Sequence, residues 1–113
     1  MGSYDRFESD FFSKLYQLRP QHGFNYTLAY LSQSYDIPQR EVRELLIDWW
    51  ERKLIVLSNG GIRWEDWGQK SPNQDFFCYP PANPQFWVEL TSRGEDRALK
   101  LHNRPIGFTP PCA

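Results

Sequence analysis

The sequence has few cysteines and histidines, and this shortage limits the chemistry that it can support. Among 113 residues there are two cysteines, Cys78 and Cys112, and two histidines, His22 and His102. The cysteines stand far apart in unrelated contexts, so a reducing compartment would keep them as thiols. Four possible zinc ligands scattered along the chain lack the paired spacing of a zinc site. We therefore expect no disulfide framework, no metal and no cofactor.

The chain also lacks the pattern of an enzyme. No spacing in the sequence indicates a nucleophile with its base and orienting group, and Cys78 lies far in the sequence from either histidine. A cysteine needs a neighbouring base before it can act as a catalytic nucleophile. The sequence therefore predicts a protein that is not an enzyme and has no catalytic residues.

A surplus of basic residues and a long apolar N-terminal run are also missing. Lysine and arginine number 13 against 14 aspartates and glutamates, so the net charge is −1 rather than strongly positive. A strongly basic domain is the simplest signature of a nucleic-acid binder. The first ten residues, MGSYDRFESD, are polar and no apolar run follows them, which predicts neither a signal peptide nor a membrane span. We expect a cytoplasmic chain without a membrane partner.

Aromatic residues, in contrast, are abundant at 17% of the chain. A chain of 113 residues is long enough for one hydrophobic core and too short for two, and these side chains supply the bulk to fill it. We predict a single α+β domain over residues 1–103, followed by a Pro-rich tail over residues 104–113.

Three helices are predicted in the first half. The first has an apolar stripe at steps of three and four residues, and Pro20 ends it. That stripe consists of Tyr4, Phe7, Phe11, Leu15 and Leu18. A second, short helix should begin after Asn25 as its cap and end near Ser34. Asp36-Ile37-Pro38 then forms a turn into a third helix over residues 38–53, with Ile37 pointing back into the core. The buried stripe of that helix should be Val42, Leu45, Leu46 and Trp49.

The second half predicts strands. An apolar strand over residues 54–57, the hairpin dipeptide Asn59-Gly60 and an alternating strand over residues 62–67 indicate a β-ribbon. A third strand over residues 86–90 precedes a closing helix, which Thr91 or Ser92 can cap, Ser92 forming a capping box with Glu95.

Two stretches resemble the winged helix-turn-helix superfamily, which is common among bacterial transcription regulators. The first is LAYLSQSYDIPQREVRELLIDWWERKLI, with small or apolar residues where such domains place them. The second is FWVELTSRGEDRAL, residues 86–99, which looks like the strand, Leu-Thr-x-x-Gly and closing helix that often follow the wing. The resemblance implies a winged-helix fold and a small DNA-associated regulator, with residues 38–53 as recognition helix. Dimerisation is common in that superfamily, so a homodimer is a further expectation.

Residues 68–85, called the insert below, depart from the superfamily pattern. The segment is longer than a usual structureless loop, which makes it either functional or disordered. Its prolines stiffen it and its aromatic residues favour packing on the domain or on a partner. Candidate partner-binding residues are Trp67, Phe76, Phe77 and Tyr79.

Charge on the third helix and its ribbon leaves two functions open. Arg40 and Arg43 could contact guanine edges or phosphates of double-stranded DNA, with Gln39 for adenine and Arg63 on the wing. Yet five basic and seven acidic residues stand between Asp36 and Trp67, a net charge of −2 that opposes binding to phosphates. The alternative is a winged-helix adaptor that binds another protein through its insert and acidic helix face.

Overall fold

The computed structural model describes residues 2–17 and 23–103, and these form an α+β fold of five helices and a small four-stranded antiparallel sheet. The predicted end of the first helix, with Leu18 and Pro20, and the predicted tail over residues 104–113 lie outside these residues. In chain order the described elements are α1 (Gly2–Gln17), β1 (Phe24–Tyr26), α2 (Leu28–Tyr35), α3 (Gln39–Glu51), β2 (Ile55–Asn59), β3 (Ile62–Arg63), α4 (Trp64–Lys70), a single 3₁₀ turn (Phe76–Cys78), β4 (Phe86–Leu90) and α5 (Ser92–Asn103).

The described strands form one antiparallel sheet in the order β1-β4-β2-β3. Because side chains alternate along a strand, Ile55, Leu57 and Asn59 of β2 are buried, whereas Val56 and Ser58 lie on the outer face. The outer face carries a row of paired residues that crosses all four strands. That row is Asn25, Trp87, Ser58 and Arg63.

Aromatic rings from α1 and α3 form the centre of the helical layer. Phe7, Phe11 and Phe12 of α1 surround Trp49 of α3, with ring centroids 5.0–5.3 Å from the indole. The predicted stripe of α3 is confirmed for Val42, Leu46 and Trp49, which are buried. Leu45, expected in the same stripe, is only partly buried, because it lies at the edge where α3 meets the first turn of α1.

The α2–α3 turn closes as predicted, but the cap of α2 is a different residue. Asn25 lies in β1, which is too short to be recognised by alternation, so it cannot cap the helix. Thr27 does so, accepting a hydrogen bond from the Tyr30 N–H at 2.9 Å. Asp36 takes the left-handed conformation with φ 56°, and Ile37 turns back into the core as expected.

The hairpin between β2 and β3 differs from the prediction in its turn. Asn59 is the last residue of β2 and pairs with Ile62, so the turn consists of Gly60 and Gly61. Their φ angles are 61° and 85°. A two-residue hairpin turn of this kind needs positive φ at both positions, and two consecutive glycines satisfy this better than Asn59-Gly60.

The predicted strand over residues 62–67 is wrong beyond Arg63, because α4 begins at Trp64. A strand would place Trp64 and Trp67, three residues apart, on opposite faces of the sheet. A helical turn places them on one face, where both rings contact Phe76, with centroids 5.2 and 5.4 Å away. Contact with the insert therefore favours the helix.

The insert completes the hydrophobic core. Phe76 and Phe77 are each 1% exposed, and the Asn59 amide holds the segment by donating to the Phe76 and Tyr79 carbonyls at 2.8 and 2.9 Å. The Trp67 indole donates to the Gln74 carbonyl at 2.5 Å. The insert therefore packs on the domain, which is one of the alternatives that the sequence left open.

Thr91, rather than a Ser92–Glu95 box, caps α5. Its hydroxyl accepts from the Gly94 N–H at 2.9 Å and donates to the Lys53 carbonyl at 2.6 Å, which ties α5 to the end of α3. A Cβ at Gly94 would collide with the Leu54 carbonyl oxygen, so this close approach requires glycine. None of the described helices is long and apolar enough to cross a membrane.

Candidate interaction surface

The outward face of α3 is the surface that the sequence singled out, and the structure leaves it open. Burial of Val42, Leu46 and Trp49 on one side of the helix turns the polar residues to the other side. The exposed residues of α3 are Gln39, Arg40, Glu44, Asp48 and Glu51. Three of these five carry carboxylates, so the open face is predominantly acidic.

An open hollow of about 350 Å³ lies where α3 meets the first turn of α1. Its lining is Tyr4, Glu41, Glu44, Leu45 and Asp48. The Tyr4 hydroxyl donates a hydrogen bond to Glu41, which fixes the tyrosine over the helix while leaving it 42% exposed. The hollow thus combines an aromatic ring and a leucine with three carboxylates.

Arg43, a predicted DNA contact, is engaged within the protein. Its guanidinium pairs with Asp75 of the insert and lies 5.2 Å from the centroid of the Phe77 ring. Burial by itself would raise the pKa of Asp75, but hydrogen bonds from Arg43 and from the Phe77 N–H outweigh it and hold that pKa below its ordinary value. Arg43 therefore anchors the insert, and a nucleic acid could recruit it only by competing with Asp75.

The other cations of this region differ in how far they are paired. The Arg52 guanidinium lies 3.3 Å from the Asp48 carboxylate, one helical turn away, and the Arg63 guanidinium lies 4.0 Å from the Glu65 carboxylate. The side chains of Gln39 and Arg40 are exposed and make no hydrogen bond or ion pair with a described residue. Of the four candidate DNA contacts, Gln39, Arg40 and Arg63 are exposed, whereas Arg43 is partly buried and paired with the insert.

The candidate partner-binding residues come together, but three of the four are inside the protein. The Trp67 ring contacts Phe76 and Tyr79 with centroids 5.4 and 5.3 Å apart, and Phe76 contacts Phe77. Trp67, Phe76 and Phe77 are buried, and Tyr79 is partly buried. Of the two alternatives that the sequence left open, Trp67, Phe76 and Phe77 pack on the domain, because hydrophobic aromatic side chains are more stable in the core than in water. As candidate partner-binding residues these three are therefore not accessible in this fold.

The sequence did not predict the exposed position of Tyr4 beside α3. The apolar spacing of α1 placed it on the buried stripe, but the first turn of the helix extends past the core, so the ring stays at the surface beside α3. A tyrosine at the start of an amphipathic helix carries no signal in the sequence that separates these two positions.

Comparison with known protein families, with curated proteins and with solved structures found no match. Over residues 2–17 and 23–103, no three histidine, cysteine or acidic side chains gather closely enough to hold a metal ion. Cys78 is exposed, and desolvation together with the nearby Asp75 charge raises the pKa of its thiol, which lowers the fraction present as thiolate.

Proposed function

We propose that this protein is a winged-helix-type interaction module that binds a basic surface of another protein through the acidic face of α3. The observation that supports this most is the unpaired negative charge on that helix. Glu44 and Glu51 are exposed and make no ion pair with any described residue, whereas Arg43 and Arg52 are both paired.

The order of the elements supports the winged-helix part of the proposal. Three helices, with a tight turn between α2 and α3, precede a two-stranded hairpin, a third strand and a closing helix. The hairpin is short, since β3 has two residues and α4 follows it immediately. A wing of this length offers little surface to a DNA backbone, and Glu65 and Asp66 stand in the first turn of α4.

Electrostatics favours a protein partner over a duplex. DNA affinity arises mostly from lysines and arginines that displace counterions from the phosphates, so carboxylates on the contacting helix weaken it. A basic partner has the opposite requirement. Lysine or arginine of a partner can place its aliphatic stem against Leu45 and its charge among Glu41, Glu44 and Asp48. The exposed Tyr4 ring can add a cation–π contact.

The test is a titration of the purified protein into a labelled Lys/Arg-rich peptide, read by fluorescence anisotropy at low and near-physiological salt. Peptide binding should weaken when Glu44 and Asp48 are replaced together, Glu44→Gln with Asp48→Asn. Loss of two carboxylates from the contact should lower affinity by about tenfold at low salt. A matched double variant on α5, Glu95→Gln with Asp96→Asn, removes the same charge elsewhere and should bind as the native protein does. Equal loss in both variants would show non-specific attraction and would refute the assignment of the site.

A DNA-associated regulator is the second candidate, and one observation favours it. Gln39 and Arg40 stand exposed in the first turn of α3, the part of a recognition helix that contacts base edges. The same titration is repeated with a labelled DNA duplex in place of the peptide. Duplex binding that falls steeply with salt and is lost in Arg40→Ala would favour a DNA-associated regulator over the protein-binding module. Arg43→Ala is the informative companion, because its pairing with Asp75 predicts a smaller effect than Arg40→Ala.

A further inference from the structure

A second cleft, away from the acidic face of α3, lies beside the β2–β3 turn. It has a volume of about 320 Å³ and is formed by the end of β2, the last part of the insert and the adjoining residues of β1 and β4. Three carboxamide side chains and three aromatic residues define it, together with Gly60 and Pro80. These are Asn25, Asn59 and Gln85, and Tyr79, Phe86 and Trp87.

The carboxamides of this cleft have hydrogen-bonding capacity left over. Asn59 is 5% exposed, and both protons of its amide go to the carbonyls of the insert. Its Oδ1 accepts no hydrogen bond from a described residue, although a buried acceptor is costly to leave unpaired. The side chains of Asn25 and Gln85 likewise have no hydrogen-bond partner among the described residues. The Asn25 and Gln85 carboxamides can each offer a hydrogen-bond donor and an acceptor in one plane.

Trp87 gives the cleft an aromatic surface. It lies on the outer face of the sheet between Asn25 and Ser58 and is partly buried. Its indole N–H is already used, since it donates to the Glu89 carboxylate at 2.6 Å. The ring can therefore contribute stacking but no hydrogen bond of its own, and the polar contacts must come from the amides.

The charge of the cleft selects among ligands that stack and hydrogen-bond. No residue in its lining is charged, and the Glu89 carboxylate beside it is bonded to the Trp87 indole, while Arg63 stands two strands from Trp87 on the same face of the sheet. A phosphate would find no cation there. A volume of about 320 Å³ is at the lower end of the range for small-molecule sites, which suits a single planar ring system.

We propose that this cleft binds an uncharged nucleobase presented by a free nucleoside. The base stacks on Trp87, and its donor–acceptor edge pairs with the amides of Asn25 and Gln85. Asparagine and glutamine suit this role because one carboxamide can donate to and accept from the same base edge. The site is separate from the acidic face of α3, so the inference does not depend on the proposed function.

The experiment is a titration of the intact protein with adenosine, guanosine, cytidine and uridine, followed by tryptophan fluorescence and by calorimetry. Methyl glucoside serves as a ligand of similar polarity without a planar base, and a short oligonucleotide presents the base on a charged strand. We expect saturable binding of at least one nucleoside, no binding of the glucoside and weaker binding of the oligonucleotide. No saturable nucleoside binding, or tighter binding of the glucoside or the strand, would overturn the proposal.

Three variants locate the site. Asn25→Ala and Gln85→Ala each remove one polar contact, and each should weaken nucleoside binding by about fivefold. Asn83→Ala removes an exposed carboxamide from the same segment outside the cleft and should bind as the native protein does. Thermal unfolding of each variant checks that it folds. Native affinity in both Asn25→Ala and Gln85→Ala would place any binding elsewhere and refute the assignment.

Discussion

The protein contains two aromatic clusters that are held in different ways. The helical cluster, Phe7, Phe11, Phe12 and Trp49, sits between regular helices that satisfy their own backbone hydrogen bonds. The insert cluster, Trp64, Trp67, Phe76 and Phe77, depends on a short helix and a single 3₁₀ turn. Side-chain contacts hold this segment where regular backbone hydrogen bonding is lacking. These contacts are made by the Asn59 amide, the Trp67 indole and the Arg43–Asp75 pair. A segment with little regular structure can thus complete a core if polar side chains bind its backbone.

Removal of the insert tests this comparison most severely. Deletion of residues 69–84 takes away Phe76 and Phe77 and uncovers Trp67 and Phe86, so we expect the domain to lose its cooperative thermal transition. Circular dichroism in the near and far ultraviolet during heating measures this. A cooperative transition near that of the native protein would show that the helical cluster folds alone and that the insert is an accessory loop.

A pair of single substitutions compares the two clusters directly. Trp49→Ala and Phe76→Ala each delete a buried aromatic ring, and each should lower the free energy of unfolding by roughly 3–5 kcal/mol. Urea unfolding followed by far-ultraviolet circular dichroism gives both values on one scale. A cost for Phe76→Ala below about 1 kcal/mol would be typical of a surface residue and would contradict its place in the core.

Phe7, Phe11 and Trp49 of the helical cluster could be predicted from the sequence, whereas Phe12 was not on the predicted stripe and the insert cluster could not be predicted. α1 and α3 are long enough for the 3.6-residue period to show, and β4 shows clear alternation. β1 has three residues and α4 has seven, which is too short for either period to decide. The insert has no period, so its burial depends on contacts between residues far apart, such as Asn59 with Phe76.

The same limit applies to the candidate surface. The acidic character of α3 could be predicted, because the carboxylates and the buried stripe share one helical period. Engagement of Arg43 could not, since its partner Asp75 comes 32 residues later in a segment without regular structure.

Asn59→Ala tests whether polar clamps hold the insert cluster. The substitution leaves the Phe76 and Tyr79 carbonyls without their donor in a buried environment, which should cost about 1–3 kcal/mol in the free energy of unfolding. Asn83→Ala removes an exposed carboxamide from the same segment and should change it by less than about 0.5 kcal/mol. Urea unfolding of both variants provides the comparison. Equal costs would show that the Asn59 amide does not help to hold the insert.

The Arg43–Asp75 pair should give the smallest effect, and its pH dependence identifies it. Because the pKa of Asp75 is lowered in the folded protein, its charge stabilises the fold above the pKa of the unfolded chain, near 4, and this contribution disappears as the pH falls through the folded value. Both side chains are more than a third exposed, so solvent screening limits the contribution to about 1 kcal/mol or less. Asp75→Asn should therefore be less stable than the native protein at pH 7, and this difference should be smaller at pH 2. A difference between Asp75→Asn and the native protein that is the same at both pH values would mean that the pair acts through shape rather than charge. The insert would then depend on packing as the helical cluster does, and the contrast between the two clusters would be limited to Asn59 and Trp67.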